Sequence, residues 1–194
     1  MTQSDQELIV EIQSGKIASF RVLVERHKDR AFTLAVRLLK QRTDAEEALQ
    51  DAFLRAFQGL EDFRGDAKFS TWFYRILYNV CLTRLGRAKP EAQQYSFQEE
   101  EGEEFSLQIA SGDSLPDEVL EQNEFMTLIS REIERMPEQY RVILTLYYIE
   151  ELSYEEMSDV LQLPLGTIKT HLFRGRALLR STVIEKYYPE VKTV

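Results

Sequence analysis

An all-α chain of two small helical domains joined by an acidic linker is what the sequence predicts, on three observations. Apolar residues recur at three- and four-residue steps through most of the chain, capping signatures stand ahead of several of these runs, and no segment alternates with period two long enough to make a convincing strand. One acid-rich stretch, 91–113, breaks the pattern, carries Gly102 and Gly112, and repels itself. It predicts an extended linker between a first domain over residues 1–90 and a second over 114–194, and a chain of 194 residues has room for two domains of modest size.

The elements follow in order. Ser4-Asp5-Gln6-Glu7 and Thr43-Asp44-Ala45-Glu46 read as capping boxes, a serine or threonine followed three residues later by glutamate. Ile17, Phe20, Leu23, Val24, Ala31, Leu34, Ala35 and Leu38 form one apolar stripe; Ala45, Ala48, Leu49, Ala52, Phe53, Ala56 and Phe57 form the next. After the turn Phe63-Arg64-Gly65-Asp66, a helix places Phe69, Phe73, Ile76 and Val80 on a buried side and Thr71, Trp72, Arg75, Tyr78 and Asn79 on the other. In the second half, Ser114-Leu115-Pro116-Asp117 predicts a helix start, with proline where a missing N–H costs little. Pro137 opens a helix through Tyr148, and Ser153-Tyr154-Glu155-Glu156 caps a short one carrying Met157, Val160 and Leu161. A break at Gln162-Leu163 precedes the last long helix, which Pro164 begins.

Composition narrows the function. Apolar residues make up 43% of the chain, enough for packed cores, yet no run approaches the ~20 residues that cross a bilayer and the amino-terminal stretch holds Asp5, Glu7 and Glu11, so a cytoplasmic location is expected. Cys81 is the only cysteine and His27 and His171 are far apart in sequence, so no disulfide and no metal-ligand set is predicted. No phosphate-binding glycine loop, nucleophile motif or zinc helix occurs, and Glu155-Glu156 is explained as capping, which predicts a protein that is not an enzyme, with no cofactor and no small-molecule substrate. The net charge of −9 looks unsuited to nucleic acid, but its distribution reverses that. Of the 33 acids, 11 lie between Glu91 and Glu124, where there is no Lys or Arg, leaving 22 acids against 24 bases elsewhere. The stretches Phe69–Lys89 and Pro164–Arg180 contain no acid at all.

Ser153–Leu161 followed by Pro164–Arg180 has helix-turn-helix spacing, whose second helix can enter the major groove. At ~100° per residue, Ile168, Leu172, Gly175 and Leu179 fall on its buried side and Lys169, Thr170, Phe173, Arg174, Ala177 and Arg180 on the other. The outward set joins cations for phosphate with side chains for base edges; a plain solvated basic face is the competing reading. In the first domain, rings beside Arg75 make a platform on which unpaired bases stack, against the alternative that Trp72 and Tyr78 pack on a neighbouring helix.

The order of these segments resembles bacterial RNA polymerase sigma factors of the extracytoplasmic-function (ECF) type. Asp44–Phe57 is similar to that family's polymerase core-binding motif; Phe63-Arg64-Gly65-Asp66 with Phe69–Ile76 and Asn79 is similar to its minus-ten reader and strand-opening segment. Ser153–Met157 and Leu163–Thr170 resemble its minus-thirty-five reader. The resemblance covers nearly the whole chain and implies a region-two and a region-four domain without the intermediate domain of larger sigma factors. It implies core-polymerase contacts at Asp44, Glu47, Gln50, Asp51, Leu54, Arg55 and Phe57, and minus-ten DNA contacts at Arg64, Lys68, Ser70, Thr71, Trp72, Arg75, Tyr78 and Asn79. Minus-thirty-five contacts fall on Thr167, Lys169, Thr170, His171, Phe173, Arg174 and Arg180.

The partners implied are core RNA polymerase, promoter DNA and an anti-sigma factor, in this family often anchored in the membrane. The acidic linker has two open readings, a mimic of nascent RNA and a soluble tether. The competing function is a stand-alone helix-turn-helix regulator that needs no polymerase.

Overall fold

Residues 3–86 and 122–189 are described by the computed structural model, and they form helices and short connections with no strand among them. The first group is α1 (Asp5–Gln13), α2 (Ala18–Leu39), α3 (Arg42–Gly59), a single 3-10 turn at Leu60–Asp62, and α4 (Phe69–Arg84). The second is α5 (Gln122–Arg135), α6 (Glu138–Tyr148), α7 (Tyr154–Leu161) and α8 (Leu165–Tyr187). The linker expected at 91–113 and the helix start expected at 114–117 lie outside the described residues.

Local chemistry sets most boundaries. Ser4 accepts from the Glu7 amide while the Glu7 carboxylate accepts from the Ser4 amide at 2.7 Å, completing the box that opens α1. Ser153 and Glu156 do the same for α7. The box expected at Thr43 does not form. Lys40 adopts a left-handed backbone (φ 61) to end α2, and α3 begins at once with Gln41 as its N-cap, which puts Thr43 inside the first turn. Glu46 instead accepts from Arg42 at 2.9 Å.

In the first domain, Ala45, Ala48, Ala52 and Ala56 are completely buried, and their small side chains let α3 lie close against α2 and α4. Between them runs an aromatic stack: Phe53 on Phe73 with centroids 4.3 Å apart and Phe73 on Phe69 at 5.8 Å. The second domain closes around Ile133, Ile143, Leu144, Met157, Val160, Ile168 and Leu172, all under 2% exposed. Its last helix runs past Arg180 to Tyr187 because Glu132, 2% exposed, accepts from Lys186 and the Tyr187 hydroxyl, each at 2.8 Å.

The two domains meet along a polar seam, with α7 against α4 and α6 against α2. Arg37, 5% exposed, donates to the Thr145 hydroxyl at 2.9 Å and to Ser130. The Tyr74 hydroxyl donates to Glu150, Thr71 to Glu156 at 3.2 Å, and Arg75 to Gln162 at 2.9 Å. A seam of this kind resembles a transient interface more than a domain core.

Candidate nucleic-acid interface

The helix-turn-helix is made by α7 and α8. Gln162 takes a left-handed backbone (φ 56) that ends α7, and the Ser158 hydroxyl donates to the Leu163 carbonyl at 2.6 Å, fixing the turn before Pro164 starts α8. Ile168, Leu172, Gly175 and Leu179 face inward as their spacing predicts. Lys169, Phe173, Arg174, Ala177 and Arg180 are exposed and Thr167 and Thr170 half-buried, with the Thr170 hydroxyl donating to the Gly166 carbonyl at 2.9 Å. Phe173 stands 51% exposed, a large apolar ring presented to solvent among cations. One expected contact is misplaced. His171 is buried at 6% beside the Tyr140 ring, because it sits between Ile168 and Leu172 on the inner side of the helix. Burial, helped by Arg174, holds its imidazole below the usual histidine range.

Sequence reasoning also passed over Arg176, whose guanidinium lies 4.4 Å from the Tyr147 ring centroid and 5.7 Å from that of Tyr148. This cation–π contact, worth ~0.5–2 kcal/mol in general, holds α8 to α6 and so sets the angle at which the exposed face is presented.

The front of α4 is less open than its helical wheel suggests. Arg64, Lys68 and Arg75 are exposed, while Ser70 and Asn79 are half-buried. Trp72 is half-buried too, packed on Phe63 (5.0 Å between centroids) and Phe69 (5.9 Å). Its ring lies so close to Gly59 that a Cβ there would approach it to 3.1 Å. Thr71 and Tyr78, expected to face outward, are 2% and 6% exposed. For Thr71 the reason is tertiary: α7 packs on α4, and the Thr71 hydroxyl donates to Glu156 of that helix. Gly65, at φ +78, turns the chain into the exposed segment ahead of α4, a conformation that disfavours any side chain.

On α3, Asp44, Glu47, Gln50, Leu54 and Arg55 are exposed and Asp51 and Phe57 half-buried. Asp51 accepts two bonds from Arg55, at 3.0 Å each, and Glu47 accepts from Arg84 at 2.9 Å. Phe57 turns largely inward, its ring 5.0 Å from Phe20. Leu54 is 57% exposed and stands between these charges. The face thus combines an apolar centre with a polar rim, the composition of a protein-docking surface.

Several seam groups had no warning in the sequence reading. Burial lowers the pKa of Arg37, although Glu134 and Glu150 oppose it, and pushes that of Glu150 up despite the bond from Tyr74 and the fields of Arg30 and Arg37. Burial also raises the Tyr74 phenol and, in the core, the Cys81 thiol, the latter to about 12, so Cys81 is a packed residue and not a nucleophile. The one clue was Arg37, a charge one residue before Leu38 within an apolar stripe.

Comparison with known proteins places these surfaces in context. Residues 23–91 match the model of Sigma-70 region 2 and residues 126–179 that of Sigma-70, region 4. The chain is 35% identical over 176 residues to the ECF RNA polymerase sigma factor SigW of Bacillus subtilis, covering 89% of this chain and 92% of that protein. It is 31% identical over 188 residues to the ECF RNA polymerase sigma-E factor of Escherichia coli K12, covering 93% and 94%. Among solved structures, CnrH in complex with the cytosolic domain of CnrY superposes with a TM-score of 0.64 at 20% identity, over 95% of this chain and 99% of that one. RpoE of Bartonella quintana, solved with the anti-sigma factor NepR, gives 0.57 at 18%, over 84% and 94%.

Proposed function

The chain belongs to the ECF family of RNA polymerase sigma factors, and from that premise we propose that it binds core polymerase through α3 and directs it to promoters read at two places by two domains. The domain limits proposed are 1–90 and 114–194, with 91–113 between them. Asp44, Glu47, Gln50, Asp51, Leu54, Arg55 and the edge of Phe57 dock on the polymerase. Thr167, Lys169, Thr170, Phe173, Arg174 and Arg180 meet the duplex of the minus-thirty-five element; His171 supports this face from behind. Arg64, Lys68, Ser70, Thr71, Trp72, Arg75, Tyr78 and Asn79 serve the minus-ten element and its opened strand, the buried Thr71 only after α7 has moved off α4.

The observation that carries this reading is the outer face of α8 as far as Arg180, which holds no acid and exposes Lys169, Arg174 and Arg180 along with the Phe173 ring. Cations there neutralise phosphate, and Arg174 has the geometry to take two acceptors of a guanine. Each DNA contact alone is weak. Holding both domains on one polymerase makes the second contact effectively intramolecular and the pair selective.

The chemistry of RNA synthesis belongs to the polymerase, so the chain acts as an initiation factor and not as an enzyme, and it works in the cytoplasm where that polymerase is. Among the described residues no helix is long and apolar enough to cross a membrane. Both solved relatives were captured with a protein partner, one of them named an anti-sigma factor, which supports control of this chain by such a partner. The experiment is run-off transcription with core polymerase and purified chain on a library of randomised promoters. Defined start sites that require the chain are expected; binding to duplex DNA with no polymerase-dependent start would instead make it a stand-alone regulator.

A further inference from the structure

Glu156 bridges two tasks with its two oxygens. Oε2 accepts from the Ser153 amide at 2.8 Å and completes the α7 cap, while Oε1 leaves the helix and takes Lys68 Nζ at 3.0 Å and the Thr71 hydroxyl at 3.2 Å. An ammonium and a hydroxyl converging on one anionic oxygen is the donor set that a nucleic-acid phosphate takes. Glu156 is only 18% exposed at its side chain, and Thr71 is 2% exposed beneath it, so no strand reaches Thr71 while α7 is in place. One turn further along α4, Arg75 donates to the side-chain amide oxygen of Gln162, Oε1, at the other end of α7. Both cations at this end of the seam are therefore engaged by the helix-turn-helix of the same chain.

The seam is also built to part. Among the described residues, Arg37 Nε and Glu150 Oε1 are buried with no hydrogen-bond partner, and Arg37 has a carboxylate, that of the 59% exposed Glu134, only at 3.9 Å. Buried charged groups left partly unsatisfied make a contact weaker than its area suggests, because their lost hydration is not fully replaced.

We infer that Glu156 is an internal phosphate mimic: in the free chain its carboxylate occupies an anion site formed by Lys68 and Thr71, and this site is given to the DNA backbone only when α7 leaves α4. The inference rests on the reading of Lys68 and Thr71 as DNA contacts. In consequence one domain masks the strand-binding face of the other, and the free protein binds single-stranded DNA poorly until a partner separates the two.

The test is fluorescence anisotropy of the full chain with a fluorescein-labelled single strand of random sequence, using wild type, Glu156→Gln, Lys68→Ala and the double variant. Glutamine preserves the capping box, so the fold is kept while the charge is lost. Glu156→Gln is expected to tighten binding by about two- to fivefold, the range set by an exposed ion pair, and the gain is expected to vanish without Lys68. Glu155→Gln removes a neighbouring charge and should give a smaller gain. Gln162→Asn, which tolerates the left-handed backbone at that position but falls short of Arg75, should also tighten binding. An equal gain with and without Lys68 overturns the inference, since the effect is then general charge. Lys68→Ala weakening binding with no gain from Glu156→Gln overturns it while leaving the DNA role of Lys68 intact. If neither substitution changes binding, that DNA role falls, and the inference with it.

Discussion

Leu54→Ala isolates the proposed polymerase-docking face from the rest of the molecule. Truncation to alanine removes three carbons, and each is worth about 0.8 kcal/mol when taken out of water, so the upper bound is about 2.4 kcal/mol. Leu54 is already partly covered by its own helix and only 57% exposed, so the share available for new burial is about 1.4 kcal/mol, close to a tenfold weakening. An exposed position away from caps and core changes folding stability by no more than about 0.5 kcal/mol. The assay is competition between wild type and variant for core polymerase, with thermal melting alongside. Tenfold weaker binding at an unchanged melting temperature is expected. An affinity within twofold of wild type would show that the exposed face of α3 does not meet the polymerase, and the assignment of Glu47, Gln50, Asp51 and Arg55 would fall with it.

Arg174→Ala should cost about 1–3 kcal/mol on the preferred promoter and relax the choice at one base pair, as read by binding to single-substituted promoter sets; an equal loss on every sequence would make Arg174 a phosphate anchor. For the seam, Glu150 carries a pH signature. Burial chiefly, with Glu151, holds its carboxyl above the ordinary 4.5 against the Tyr74 bond and the fields of Arg30 and Arg37, so the closed seam binds a proton that the open one releases. This contribution is complete below the ordinary value and fades as pH rises through the raised one. Glu156 runs the opposite way: burial raises its pKa, but the Ser153 amide, Lys68 and Thr71 together hold it below the ordinary value, so its contribution fades on acidification. Glu150→Gln should therefore gain on wild type in urea unfolding as pH increases from the ordinary carboxylate value toward neutrality, and a difference that stays constant with pH would refute the assignment.

The helices, the helix-turn-helix and the inner face of α8 were readable from the chain alone because each depends on neighbours three and four residues away, whereas Ile17, placed in the stripe of α2, is 62% exposed. Ile168, Leu172 and Leu179 point inward by spacing, and the Ser4 and Ser153 boxes close within four residues. His171 was readable by the same arithmetic, and its inward position follows from where Ile168 and Leu172 lie. Thr43 marks the limit of such local rules: its box was displaced by a left-handed residue at Lys40 that no capping pattern announces.

What only the tertiary structure decided is which polar faces stay wet. Thr71 meets a carboxylate 85 residues away and Arg37 a hydroxyl 108 residues away, and nothing in the local pattern of α2 or α4 distinguishes a side chain awaiting such a partner from one awaiting water. Periodicity assigns a residue to a side of its helix; it does not say what will lie against that side. The exposed face of α8 and the face of α4 against which α7 sets the Glu156 carboxylate differ for that reason, since burial is a property of two surfaces and the sequence of one helix describes only its own.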